Sequence, residues 1–136
     1  PSGAIGRALL LRVRDVMRSG GRCPIVGQAT TVQEGLLAMT QGKAGSLCIV
    51  DGRGKLAGVF TDGDLRRHLA TPGGVLSQPL ASVMTRHPIC VRDDALAAEA
   101  LKIFKERNID DLLVVNAKQE PVGLVDSQDL PKLKLM

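Results

Sequence analysis

The sequence has no tryptophan and no tyrosine, and only two phenylalanines among its 136 residues. Flat aromatic platforms on which bases stack are therefore missing, which argues against a single-strand nucleic-acid binder. Aliphatic side chains, methionine and alanine must supply the core, and a 44% hydrophobic content is enough for one. No apolar run approaches the roughly 20 residues that cross a bilayer as a helix, and no secretory leader is visible. A membrane partner is not expected. The three cysteines, Cys23, Cys48 and Cys90, form neither a C-x-x-C pair nor a zinc-ligand spacing. A reducing, cytosolic compartment and no metal site are the corresponding expectations. Cys48 lies inside the apolar run Leu47–Val50 and reads as a small buried hydrophobe. The net charge is +4, but the basic residues are scattered, and the nearest approach to a cluster is Lys132 with Lys134. That diffuse excess reads as a solvated surface, compatible with small anionic ligands and not with nucleic acid. The two histidines, His68 and His87, stand in no spacing that argues for a nucleophile and base. No catalytic residue is expected.

What is present is a pattern that occurs twice. The stretch Gly58-Val59-Phe60-Thr61-Asp62-Gly63-Asp64-Leu65 reads as a strand running straight into a helix. Thr61 and Asp64 have the spacing of a capping box, in which hydroxyl and carboxylate each accept one backbone N–H of the first turn. A weaker copy, Gly123-Leu124-Val125-Asp126-Ser127-Gln128-Asp129-Leu130, follows about 65 residues later, a period that points to a repeated unit.

The intervening segments agree. Leu9–Met17, with Leu10, Val13, Val16 and Met17 at helical spacing, predicts a short helix, and Leu80–Met84 is its counterpart. Cys23–Val26 and His87–Val91 read as brief extended pieces. Thr31 and Glu34 form a capping box opening a helix with Leu36, Leu37, Met39 and Thr40 toward the core. Its counterpart is capped by Asp93 or Asp94 and turns Leu96, Ala100, Leu101 and Phe104 inward. Ser46–Val50 and Leu56–Phe60 form a hairpin across Asp51–Gly54, and Leu112–Val115 pairs with Val122–Val125. Asp126 caps a last helix, limited by Pro131. Neither half has enough apolar surface to fold alone, so the halves are expected to pack together about a pseudo-twofold axis. Ile49, Val59, Val114 and Leu124 should be buried.

Val13-Arg14-Asp15-Val16-Met17, Ile49-Val50-Asp51, and Gly58–Leu65, with Ser82-Val83-Met84-Thr85, Leu113-Val114-Val115, Gly123-Leu124-Val125 and Asp129-Leu130, resemble a tandem pair of CBS domains, named for cystathionine β-synthase. The resemblance implies an α+β fold of two CBS repeats, each a small sheet with covering helices. The repeats would span 13–70 and 80–136. Residues 1–12, together with Thr61–Arg67, further resemble the linker and CBS region of bacterial arabinose 5-phosphate isomerases. On that resemblance 1–12 is a linker from an upstream sugar isomerase domain.

In such pairs the T-x-x-D of one repeat faces the starts of the first and second strands of the other. The hydroxyl lies near a phosphate and the carboxylate on ribose hydroxyls, two of which a carboxylate can accept at once. Thr61 and Asp64 would then face Thr85, Arg86, His87 and Ile89 on one side, and Asn108, Ile109 and Asp110 on the other. Arg86 or His87 would meet the phosphate, and Ile89 and Ile109 the base. The mirror cleft would join Asp126 and Asp129 to Ile25 and Ser46. There Asp126 replaces the hydroxyl residue and would repel a phosphate, so this cleft should be weak.

The resemblance implies a bacterial, cytoplasmic regulatory module. It would not itself be an enzyme. It would bind a nucleotide or nucleotide sugar, such as CMP-activated Kdo, and modulate an attached arabinose 5-phosphate isomerase of lipopolysaccharide synthesis. A homodimer or higher oligomer is expected, from apolar surface on Val13–Met17, Leu80–Met84 and the helices after Thr61 and Asp126. The alternative is a ligand-free oligomerisation module of the same enzyme.

Overall fold

The computed structural model describes residues 10–129 and Pro131; Lys132 and Lys134, Leu130 and most of the expected 1–12 linker lie outside them. In chain order the regular elements are helix α1 (Val13–Val16), strand β1 (Ile25–Gly27), helix α2 (Val32–Gly42), strands β2 (Ser46–Val50) and β3 (Leu56–Thr61), and helix α3 (Asp62–Leu69). There follow strands β4 (Thr85–Arg86) and β5 (Cys90–Arg92), helix α4 (Ala97–Glu106), and strands β6 (Asp111–Val115) and β7 (Pro121–Asp126). Single 3-10 turns at Gly20–Arg22, Val75–Ser77, Leu80–Ser82 and Ser127–Asp129 complete them.

Two small sheets result, ordered β1-β2-β3-β4 and β5-β6-β7. Their registers are copies of each other. Ile25 lies opposite Cys48 as Cys90 lies opposite Leu113, and Cys48 opposite Val59 as Leu113 opposite Leu124. Even the irregularity in the hairpin recurs, between Ile49 and Val50 and between Val114 and Val115. The first hairpin turns where Asp51 accepts from the N–H groups of Arg53 and Lys55, and Gly54 takes φ +80°, a conformation that suits glycine.

The segments that lead into each half cross over to the other. β4 follows the turn at Leu80–Ser82 and pairs with β3 of the first sheet. Arg18, after α1, exchanges both backbone hydrogen bonds with Leu124 of the second sheet, at 2.7 and 2.9 Å. Val13 is fully buried among Val91, Ala97, Leu112, Val114 and Val125, while Leu80 and Met84 are buried with Val32, Leu47, Ile49 and Phe60. Full burial of each such side chain contributes roughly 1.5–3 kcal/mol. A third cluster of Cys23, Cys48, Leu113 and Leu124 joins the two halves at the centre.

The crossing needs close approach, and glycines permit it. A Cβ on Gly58 would fall 2.5 Å from Met84 Sδ and 2.9 Å from the Thr85 carbonyl oxygen. A Cβ on Gly123 would fall on Met17 Sδ and 2.8 Å from the Arg18 carbonyl oxygen.

Several local expectations are corrected. Within the helix expected at Leu9–Met17, Val13–Val16 forms one turn with Met17 already extended, Leu11 and Arg12 are not helical, Leu10 is helical and exposed, and Leu9 lies outside the described residues. On α2 the buried stripe is Val32, Gly35, Met39 and Gly42. Leu37 is therefore out of phase and 60% exposed, and Thr40, also exposed, donates its hydroxyl to the Leu36 carbonyl. Neither Asp93 nor Asp94 caps α4. The N-cap is Leu96 without a side-chain bond, because the leader segment supplies the Leu11 carbonyl to Ala97 N–H at 2.8 Å. The equivalent bond, Val32 N–H to the Gln78 carbonyl, reinforces the capping box that Thr31 does form with Glu34. Leu101 and Phe104 are half-buried. Asp126 accepts from Gln128 N–H beside the turn at Ser127–Asp129; Pro131 is itself helical, and Leu130 between them lies outside the described residues. Ile49, Val114 and Leu124 are buried as expected; Val59 is half-buried because it faces a cavity. Val13 and Leu80 are buried within the chain, Val16, Met17 and Val83 are half-buried, and Leu69 at the end of α3 is exposed. No helix among the described residues is long and apolar enough to cross a membrane.

Candidate functional site

A cavity of about 550 Å³ opens between the two halves where β3 passes into α3. Phe60, the last apolar residue of β3, is buried and stacks on His68, ring centroids 6.3 Å apart, which fixes the angle between strand and helix. His68 thus serves the fold. Thr61 Oγ1 accepts from Asp64 N–H at 3.1 Å, and Asp64 Oδ2 accepts from Thr61 N–H at 2.9 Å. The other carboxylate oxygen of Asp64 receives the Arg67 guanidinium. Asp64 is 9% exposed, whereas Arg67 reaches it from a largely exposed position. The pair sits at a helix N-terminus, where the dipole favours negative charge.

Across from this start stand the ends of two elements of the second half. Thr85, His87 and Ile89 lie ahead of β5, and Asn108, Ile109 and Asp110 lie ahead of β6, all in the cavity wall. The structure therefore brings together Thr61, Asp64 and these six. Arg86 is the exception. Successive side chains of a strand point to opposite faces, so Thr85 faces the cavity and Arg86 does not contribute to its wall. His87 does, from a left-handed backbone conformation (φ 53°).

The mirror constellation is not a second copy of this cleft. Asp126 and Ser46 line the same cavity as Thr61, and Ile25 and Asp129 do not. Asp129 accepts a two-pronged ion pair from Arg18, Nε at 3.1 Å and a terminal nitrogen at 3.2 Å, with both side chains largely buried. This bond, ahead of desolvation, holds the Arg18 guanidinium above its ordinary pKa. The carboxylate that corresponds to Asp64 is thus engaged by an internal cation.

Ser46 and Asp111 occupy equivalent places in the two halves, 65 residues apart, and meet directly: Ser46 Oγ donates to Asp111 Oδ2 at 2.5 Å. Burial pushes Asp111 up to about 6; the Ser46 bond opposes this, and a hydrogen bond and charge from Asp126 reinforce it. Asp126 lies directly opposite Asp111 in the β6–β7 register.

Sequence reasoning missed Arg67 and Asp111 as cavity residues. Arg67 was open to detection, since it stands three residues after Asp64 on the same helix face. Asp111 was not, because it opens a strand whose other residues are all apolar. At the centre, Cys48 is buried as read from its apolar run. It shares a hydrogen bond with Cys23, and that bond, then burial, pushes its thiol well up.

Two sheets with exchanged edges and a cleft at their junction define a class, and comparison with known proteins agrees on which. The CBS-domain family model matches residues 13–71 and 80–133, and the chain belongs to that family. Within it, the chain is similar to arabinose 5-phosphate isomerase KdsD of Pseudomonas aeruginosa, 45% identical over all of this chain and 42% of that protein. KdsD of Escherichia coli strain K12 is 38% identical over 96% of this chain and 39% of its own length. The chain thus spans about two fifths of these curated relatives. Among solved structures, the CBS domain pair of protein MJ0100, in complex with 5'-methylthioadenosine and S-adenosyl-L-methionine, superposes with a TM-score of 0.76 at 26% identity. It covers 91% of this chain and 95% of that one. CBSX2 in complex with AMP superposes at 0.74 and 23% identity, covering 92% and 96%. The cytosolic domain of the Mg2+ channel MgtE, in complex with ATP, does so at 0.74 and 22%, covering 96% and 51%.

Proposed function

We propose that this chain is the regulatory CBS pair of a bacterial, cytoplasmic arabinose 5-phosphate isomerase, and that it binds a nucleotide or nucleotide sugar in the cavity at Thr61 and Asp64. Residues 1–12 would carry the connection to the isomerase domain, with 13–70 and 80–136 as the two repeats. The observation that carries the binding reading is one constellation. A buried carboxylate and a hydroxyl at a helix N-terminus face Ile89 and Ile109 across a cavity of about 550 Å³. That volume lies in the range of small-molecule sites. Asp64 would accept the ribose hydroxyls, with Arg67 swinging away to a phosphate, and the two isoleucines would sandwich the base. Thr85, Asn108 and Asp110 would edge the base and sugar. Similarity to KdsD supports the sugar-phosphate isomerase as the attached domain. The ligands named for the MJ0100 pair support a nucleoside-type effector. CMP-activated Kdo fits as a feedback effector of lipopolysaccharide synthesis.

A ligand that binds only the folded chain must raise its unfolding temperature. Thermal unfolding of the 136-residue chain with AMP, CMP and CMP-activated Kdo, each at a hundred times its dissociation constant, should stabilise it by about 2.7 kcal/mol. No shift with any of the three at millimolar concentration would leave assembly of an oligomer as its role.

A further inference from the structure

The wall of the cavity carries far more negative than positive charge. Asp62, Asp64, Asp110, Asp111 and Asp126 all line it, and the basic side chains among its lining residues are Arg67 and His87. Arg67 is already paired with Asp64. Asp62 and Asp111 converge on one point, because Gly45 has no side chain: a Cβ there would lie 3.3 Å from Asp62 Oδ2 and 3.5 Å from Asp111 Oδ2. Asp126 completes the group from the neighbouring strand. The carboxylates come from both halves, so a ligand that bridges the halves meets them whichever way it extends from the helix start.

We propose that this cavity selects a nucleoside carrying a single phosphate group and rejects nucleoside di- and triphosphates, with Asp62 and Asp126 setting that limit. The inference rests on the nucleotide reading above and narrows it to a charge class. One phosphate is accommodated by the start of α3, where the Thr61 hydroxyl, the helix dipole and the released Arg67 act together. Each further phosphoryl group adds negative charge with no second guanidinium among the described residues of the wall to receive it. It must lie in a half-enclosed space where charges are screened less than at the surface. Sugar hydroxyls, by contrast, donate to carboxylates, so a hydroxyl-rich substituent on the single phosphate is accepted where a second phosphate is not. The fold does not impose this choice, since neighbours of the same fold are named with AMP and with ATP. It comes from the aspartates of this chain.

The test is calorimetry on the 136-residue chain with adenosine, AMP, ADP and ATP, in EDTA so that no divalent cation masks the phosphates. AMP should bind at least tenfold more tightly than ADP and ATP, and the gap should narrow as salt is raised. Asp62→Asn and Asp126→Asn should each raise ATP affinity several-fold more than they raise AMP affinity. Asp126→Asn keeps an acceptor for Gln128 N–H, and a cooperative thermal unfolding transition at the parent's temperature reports that both variants fold. ATP binding as tight as AMP, or variants that leave the AMP-to-ATP ratio unchanged, would overturn the charge limit and leave the nucleotide reading standing. Failure of all four ligands, and of CMP and CMP-activated Kdo beside them, would overturn both.

Discussion

Asp111 shows how one side chain connects the halves. Its carboxylate accepts from Ser46 across the junction and shares a hydrogen bond with Asp126, so the folded chain holds its proton up to about pH 6. An unfolded aspartate releases it near 3.9. The folded form binds more protons between those values, and the contribution of this group to stability therefore declines from about pH 4 to about pH 6 and is level above. Asp111→Asn keeps the acceptor for Ser46 and removes the charge. It should stabilise the chain at pH 7 by on the order of 1 kcal/mol, after allowance for solvent screening, and by almost nothing at pH 4. Urea unfolding of both proteins at the two pH values measures this difference, and an equal change at both would exclude the shared proton. At this scale the sequence was partly legible. Thr61 and Asp64 announced their hydrogen bonds by spacing, since a capping box is local. The Ser46–Asp111 and Arg18–Asp129 contacts join residues far apart in the chain, and no local pattern encodes them.

At the scale of elements, the exchange of edge segments dictates the glycines. β3 and β7 are crossed by methionine side chains from segments leading into the opposite halves, and Gly58 and Gly123 are where the crossing occurs. Gly58→Ala and Gly123→Ala should each cost about 1–3 kcal/mol through overpacking. Gly27→Ala, in β1 with nothing within 4 Å of the added methyl, should stay within about 0.5 kcal/mol of the parent. Chemical denaturation separates the three, and a neutral Gly58→Ala would show that β4 can yield without loss. Strand and helix order was readable from periodicity and turn residues. The crossing of α1 and of Leu80–Met84 was not, because an apolar stripe states that a segment is buried and not against which partner. The same limit placed Leu37 inside: Val32, Gly35, Met39 and Gly42 fill the inner stripe of α2, and two of those four are glycines that carry no hydrophobic signal.

At the scale of the molecule, pseudo-symmetry of the backbone coexists with asymmetry of the clefts. Both halves present an aspartate three residues after the end of their hairpin strand. Asp64 faces the cavity with an exposed, movable arginine, while Asp129 is closed by the buried Arg18. Asp126 was expected from its charge to weaken the mirror cleft; that it would line the first cavity was not legible, since the two halves meet only in three dimensions. Ligand binding is proposed for the Thr61–Asp64 side alone. Calorimetry with AMP and CMP on the parent, Asp64→Ala and Asp129→Asn tests it most directly. Loss of a charge-assisted bond to ribose is worth about 1.5–3 kcal/mol, so Asp64→Ala should weaken binding at least tenfold, with one ligand bound per chain in the parent. Asp129→Asn should leave affinity within twofold and lower the unfolding midpoint instead. Equal losses in the two variants, or two ligands per chain, would contradict it.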